Sequence, residues 1–218
     1  MKQVVIGTVG YYAFLRGYPL GPEFMERLRS VSWAEDVTIC EMNWGPIAIV
    51  QDFQAKKTVC DRVVLVASID RGEPLGKVTG RRWLGGTLGA LEMQERMHEA
   101  VTGTISLDNL LIIGEHFNIW PEEVITIELQ LAENSFGDFV LGEMEQPSER
   151  SEVVGDKPMT PEVTEIVDQL VRLTEQAATH GAPEMPGLLP LTAKELTSVG
   201  AVLRNRFIHD PHAAQKSG

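Results

Sequence analysis

At 218 residues and 43% hydrophobic content, the chain can bury one sizeable core. A net charge of −12 excludes a broad basic face for nucleic acid or an anionic membrane. Cys40 and Cys60 lie outside any C-x-x-C pattern and read as buried thiols; a start without signal-peptide character and the lack of a membrane-length apolar run put the chain in the cytoplasm, with no membrane insertion.

Residues 2–7 read as a first strand. The stretch after it, from Gly7 to Gly21, is a long loop with Gly10, Gly17 and Pro19 inside it. Long loops in compact domains tend to be functional, and in an open α/β sheet the crevice beyond the first strand is the usual ligand site. No Asp, Glu, His or Cys occurs from Val4 to Pro22. The loop offers backbone, Thr8, Arg16 and the phenols of Tyr11, Tyr12 and Tyr18. Gly7-x-x-Gly10 lacks the dinucleotide spacing, and Gly17-x-x-x-Gly21 is not followed by Lys-Ser/Thr, so neither is a phosphate loop.

Pro22 suits the first position of a helix and Glu23 its positive end. Phe24, Met25, Leu28 and Val31 form its apolar stripe. Residues 36–41 alternate as a strand. Residues 45–59 predict a helix, with a first half apolar enough to be a strand. The run Val63-Val64-Leu65-Val66-Ala67 predicts a central parallel strand covered on both faces. A turn-rich loop from Asp70 to Gly76 precedes an expected edge strand over 77–83. Residues 91–101 can be helical, and Ser106 caps a helix over 107–117. Another strand spans 124–131.

Residues 134–158 are acidic, aperiodic and rich in Gly, Ser and Pro, and read as a loop or insertion. Thr160-Pro161-Glu162 starts a helix that ends near Gly181. Residues 182–190 carry Pro183, Pro186 and Pro190 and read as a linker. Thr192 and Glu195 form a capping box for a last helix containing Leu196, Val199, Val202, Leu203 and Phe207, expected to dock on the body, with fraying from about Asp210. Strands alternating with helices give an α/β fold, a three-layer α/β/α sandwich with a mainly parallel sheet and a C-terminal helical extension. The domain reading is 1–180 for the α/β body and 181–218 for linker and last helix.

The serial order of these elements resembles the endopeptidases that remove the C-terminal extension of the large subunit of nickel–iron hydrogenases during maturation. The resemblance covers about residues 2–178. Val4-Val5-Ile6-Gly7 with Gly21-Pro22 and Glu26-Arg27-Leu28 is similar to the family's first strand, loop and helix. Asp61-Arg62-Val63-Val64-Leu65-Val66 and Asp70-Arg71-Gly72-Glu73-Pro74-Leu75-Gly76 resemble its third strand and following loop. Ile105-Ser106-Leu107, Pro121-Glu122-Glu123-Val124 and Thr160-Pro161-Glu162-Val163 are similar to later elements.

The resemblance implies a site where an acid in the first loop, an Asp ending the central strand and a His before a later helix recognise nickel carried by the substrate. Here those positions fall at Arg16, Gly17 or Tyr18, at Ala67, and at Gly103 or Thr104. Asp70 matches a second acid of many members. A metal-binding triad has become small, aromatic or cationic, which implies a non-proteolytic relative with no cofactor of its own that binds a hydrogenase large subunit or another maturation factor. The alternatives are an active endopeptidase recognising nickel through other residues, Asp70 and His98 among them, and an unrelated small-molecule enzyme on the same fold.

Overall fold

A computed structural model describes residues 2–131 and 159–196, apart from Phe14, Thr58 and Thr104. The expected insertion over 134–158, the last helix beyond Leu196 and its frayed end lie outside the described residues. In chain order the elements are β1 (Gln3–Val9), α1 (Pro22–Ser30), β2 (Asp36–Glu41), α2 (Pro46–Lys56), β3 (Arg62–Ile69), β4 (Val78–Trp83), α3 (Ala90–Val101), α4 (Leu107–His116), β5 (Glu123–Gln130), α5 (Pro161–Thr179) and β6 (Leu189–Leu191). The strands form one sheet in the order β2-β1-β3-β5-β4-β6. All neighbours are parallel except β4 and β5.

The apolar runs of β1, β3 and β5 are continuous because both sheet faces are covered. Val4, Ile6, Val64, Val66, Ile125 and Ile127 pack under α1 and α5, against Phe24, Met25, Leu28, Val167 and Leu170. Val5, Val63, Leu65, Ala67 and Val124 point the other way, under Ile49 and Phe53 of α2 and Leu107, Leu110 and Leu111 of α4. This is the three-layer α/β/α arrangement, produced by the period-2 alternation of strand side chains. The expected helix starts hold. The Asn109 N–H donates to the Ser106 hydroxyl at 3.4 Å, and the Val163 N–H donates to the Thr160 hydroxyl at 3.3 Å ahead of Pro161. No helix among the described residues is long and apolar enough to cross a membrane.

Two expectations change. The 77–83 strand is not at the edge. It lies between β5 and β6, because residues 182–190 are not a free linker: Leu189–Leu191 pairs in parallel with β4, Arg81 opposite Leu189 and Trp83 opposite Leu191. Prolines mask this strand in the sequence, yet an edge position tolerates Pro190. Beyond it Leu191, Ala193 and Leu196 are buried under the α4 face, and the Thr192–Glu195 capping box closes a single 3-10 turn. The stretch as far as Leu196 is therefore docked. The two thiols also differ from expectation: Cys40 and Cys60 are half-buried rather than buried.

At the amino end of the sheet, Arg62 is fully buried. Its guanidinium donates to Glu123 Oε2 at 2.7 Å, to the Ala178 carbonyl at 2.6 Å and to the His180 carbonyl at 3.4 Å. A cation suits the carbonyl end of α5. Glu123 Oε1 accepts the Ala182 N–H at 2.6 Å, so the same pair directs the chain out of α5. Gly181 (φ 79°) lies against the guanidinium with no room for a Cβ. Arg62→Ala leaves Glu123 and two carbonyls without their donor. A loss of about 3–5 kcal/mol is expected, read as a lowered urea midpoint; Arg62→Met is expected to lose less because the stem still fills its space.

Candidate functional site

The strand order reverses between β1 and β3: the chain goes from β1 outward to β2 and then returns across β1 to β3. In open α/β sheets the ligand crevice lies beyond the carboxyl ends of the strands at such a point. Here it is marked by Val9 and Ala67, which lie opposite each other, with Glu128 of β5 next in register beside Ala67. Three corners surround it: the first loop, the β3–β4 turn, and the α3–α4 corner, where Gly103 meets the start of α2.

The first loop folds back on itself. Tyr12 N–H donates to the Leu20 carbonyl at 3.1 Å, Leu15 N–H to that of Tyr12 at 3.2 Å, and Gly21 N–H to that of Tyr18 at 2.9 Å. Tyr11, Leu15, Tyr18 and Leu20 are all buried in the α1–α5 core. Tyr12 and Tyr18 meet edge to face at 5.9 Å. The Tyr11 N–H donates to Asn43 Oδ1 at 2.9 Å, fastening the loop to the end of β2. Burial, reinforced by Glu41, pushes the Tyr11 phenol above its ordinary value. A loop of this composition is a plug made of side chains.

Under the α4 face, Glu128 is buried near the end of β5. Its Oε1 accepts Thr126 Oγ1 at 2.9 Å and Arg71 Nη2 at 3.1 Å; its Oε2 accepts Arg71 Nε and Arg81 Nε, both at 3.0 Å. A carboxylate has about four lone-pair directions, and all are used. Arg71 also holds Asp108 in the first turn of α4 through a bidentate pair at 2.9 and 2.7 Å. Arg81 reaches Glu73 at 3.1 Å, and Glu73 takes Lys77 at 2.9 Å. Three cations thus balance three carboxylates. Burial alone would lower the Arg71 pKa, but the hydrogen bonds it donates to Glu128 and Asp108 and the charges of those carboxylates together raise it above the ordinary value. Glu128 cannot act as a base or a metal ligand without breaking two guanidinium pairs.

The residues matched to the family's site are dispersed. Arg16 is half-exposed and pairs with Glu23 at 3.2 Å and Glu26 at 3.6 Å. Gly17 supplies a turn at φ 77°. Tyr18 is 3% exposed in the α1–α5 core, and Ala67 is 1% exposed in the α2–α4 core, on the opposite sheet face. Asp70 is exposed and opens the turn after β3, accepting from the Gly72 N–H at 2.9 Å and from Gln130 Nε2 at 2.8 Å. Gly103 (φ 79°) abuts Gly45, where a Cβ would come within 3.0 Å of the Gly103 Cα. Thr104 lies outside the described residues. Among the described residues no group of three or more His, Cys, Asp or Glu side chains is placed to hold a metal. His98 is exposed on α3, and His116 ends α4 with its ring at 5.1 Å from that of Phe117.

Sequence reasoning missed the Arg71–Glu128–Arg81–Asp108 network. One signal was available: Thr126, Glu128 and Gln130 put polar side chains on one face of an otherwise apolar strand, which requires partners there. It also missed Asn109, fully buried in the first turn of α4 with neither side-chain polar atom bonded among the described residues.

No protein-family model and no curated protein matches the chain. Solved structures similar to it include the endopeptidase HycI from Escherichia coli, 14% identical, covering 90% of this chain and all of that one at a TM-score of 0.46. The nickel–iron hydrogenase maturation protease HycI from Thermococcus kodakarensis KOD1 is 19% identical, covering 80% of this chain and 90% of that one at 0.44. A hydrogenase 2 maturation peptidase from Thaumarchaeota archaeon SCGC_AB-539-E09 is 16% identical, covering 81% and 97% at 0.41. At these scores the likeness assigns neither family nor activity.

Ala67→Asp places a second carboxylate beside Glu128, whose two cations are already committed. It is expected to destabilise by about 3–5 kcal/mol, read as a fall in the urea midpoint at pH 7. Asp70 gives a pH signature. The Gly72 N–H, and then Gln130, hold its carboxyl below the usual carboxylate range. Its contribution is full above the unfolded value of about 3.9 and is lost as pH falls through the lower folded value. Asp70→Asn is expected to reduce the difference in thermal midpoint between pH 6 and pH 2.5.

Proposed function

We propose that this chain is a non-proteolytic relative of the hydrogenase maturation endopeptidases, binding a hydrogenase large subunit or another maturation factor in the cytoplasm. The serial resemblance over residues 2–178 supplies the family. The carrying observation is the chemistry at the switch point. Ala67 stands where the resemblance expects an Asp, and the neighbouring Glu128 is saturated by Arg71 and Arg81. The first loop adds no acid and turns Tyr18 into the core. Asp70 is engaged in its own turn. Nickel carried by a substrate would find no free acid at Tyr18, Ala67 or Glu128, and phenol, methyl and guanidinium groups are poor partners for a divalent ion. Recognition then rests on protein surface, and peptide-bond cleavage has no metal-organised step to use.

The test mixes the purified chain with a hydrogenase large-subunit precursor, nickel-loaded or nickel-free, and reads co-elution and the precursor's intact mass. Co-elution with an unchanged C-terminus, with affinities within about twofold for the two forms, is the expected result. A trimmed precursor would establish the active endopeptidase instead. Failure of both precursor forms to co-elute would remove the large subunit as partner.

A further inference from the structure

Helix α3 packs on the body by one side. Arg96 and Ala100 are buried, and Met93 and Met97 are partly buried against residues of α2 and α4. At helical spacing the other side presents two adjacent rows. One holds Leu91, His98 and Val101, with Leu91 63% and Val101 69% exposed. Ile105, just past the helix, is exposed as well. The other row is acidic: Glu92, Glu95 and Glu99. From Ala90 to Ser106 the chain has three acids against one cation, and that cation, Arg96, is buried. The nearest lysines of α2 do not offset the row, because Lys56 and Lys57 line the groove beside β2.

The chain returns to this helix at Leu196. Arg96 Nη1 donates to Glu99 Oε2 at 3.2 Å, and its Nη2 donates to the Leu196 carbonyl at 2.7 Å. Arg96 lies four residues after Glu92 and three before Glu99, so it flanks the acidic row. Leu196 itself is buried. Whatever follows Leu196 therefore starts beside that row, at the middle of α3. From Arg96 to Leu91 or to Val101 is roughly 8 Å along the axis, a span that three extended residues cover. The turn before Leu196 adds Lys194 and Glu195, which balance each other. Residues 197–218 reverse the charge of α3: Arg204, Arg206 and Lys216 stand against one acid, Asp210, in a chain of net charge −12. Val199, Val202, Leu203 and Phe207 recur at i, i+3, i+4 and i+8, one helical stripe.

We propose that residues 197–208 dock as a helix across the outward face of α3. The Val199–Phe207 stripe covers Leu91 and Val101, and Arg204 and Arg206 lie toward Glu92, Glu95 and Glu99. A short helix is marginal alone; the tether at Leu196 supplies the effective concentration that makes a weak contact persist. A second copy of this chain is the poorer occupant, because it brings its own acidic α3 row to the same face. The inference uses none of the chemistry at Ala67 or Glu128, so it stands whether or not the large subunit is the partner.

The test uses the full chain carrying Val101→Cys. Alkylation by N-ethylmaleimide is followed peptide by peptide with mass spectrometry, and Cys40 and Cys60 serve as internal references for the body. With the tail unaltered, labelling at position 101 is expected to be slow. Leu203→Asp with Phe207→Asp should speed it about tenfold or more and leave the rates of Cys40 and Cys60 unchanged. Arg204→Glu with Arg206→Glu should speed it too, and adding Glu95→Arg should restore part of the protection. Leu91→Cys gives an independent reading at the other end of α3, so a contact disturbed by one substitution leaves the other informative. Equal labelling with either tail at both positions overturns the proposal and leaves the face to a different protein. Protection that weakens on dilution gives the face to a second copy and also overturns it.

Discussion

Glu128 is a carboxylate near the carboxyl end of a covered strand, and much of that end of the sheet is arranged to keep it charged. A buried carboxylate without cations costs several kcal/mol. Arg81 can reach it only because β4 runs antiparallel beside β5. Arg71 can reach it only because the turn after β3 is pinned by Asp70 and Gln130. The same Arg71 grips Asp108 and so fixes the first turn of α4 against the sheet. One acid thereby couples a turn, a strand and a helix that are remote in sequence. Removal of either cation would leave the acid underpaired, whereas removal of the acid would leave two guanidiniums facing each other under α4.

The first loop reaches a related outcome with apolar material. A long loop above a switch point has room to bring acids or main-chain donors to a ligand. This one brings Leu15, Tyr18 and Leu20 into the α1–α5 core and closes on itself through four backbone hydrogen bonds. Arg16, its one charged side chain, turns to Glu23 and Glu26 at the start of α1. The open part of the crevice is therefore bounded by satisfied groups on both sides: a filled loop toward β2 and a saturated carboxylate toward β4.

The layers were legible in the sequence because their signals are local. The apolar run of β3, the caps at Ser106 and Thr160 and the proline starts of α1 and α5 each arise within a few residues. What was not legible depends on contacts far apart in the chain. Leu189–Leu191 looks like linker because its prolines are a local signal, and only pairing with β4 makes it a strand. The Arg71–Glu128 pair spans 57 residues, and Arg71–Asp108 spans 37, beyond the reach of any periodicity. Tyr18 and Ala67 both stand where the resemblance expects metal-binding acids, yet loop packing and alternation send them to opposite faces of the sheet. The period-2 rule assigns Ala67 a side; no rule of similar reach assigns one to a loop residue.

The two buried Arg–Glu systems occupy opposite ends of one strand pair. Arg62 and Glu123 begin β3 and β5 and lie in register; Arg71 follows β3, and Glu128 stands near the end of β5. The centre of the sheet is thus locked by charge at its amino end, where α5 terminates, and at its carboxyl end, where α4 begins. Locked groups of this kind maintain a fold and take little part in chemistry, since each proton or metal admitted must first displace a guanidinium. Groups with unspent capacity lie elsewhere. The main chain of β2 and the exposed Trp44 are on the flank farthest from β4. A sheet whose middle is committed to its own integrity can still present a partner with backbone donors and acceptors, and only at an edge that no proline blocks.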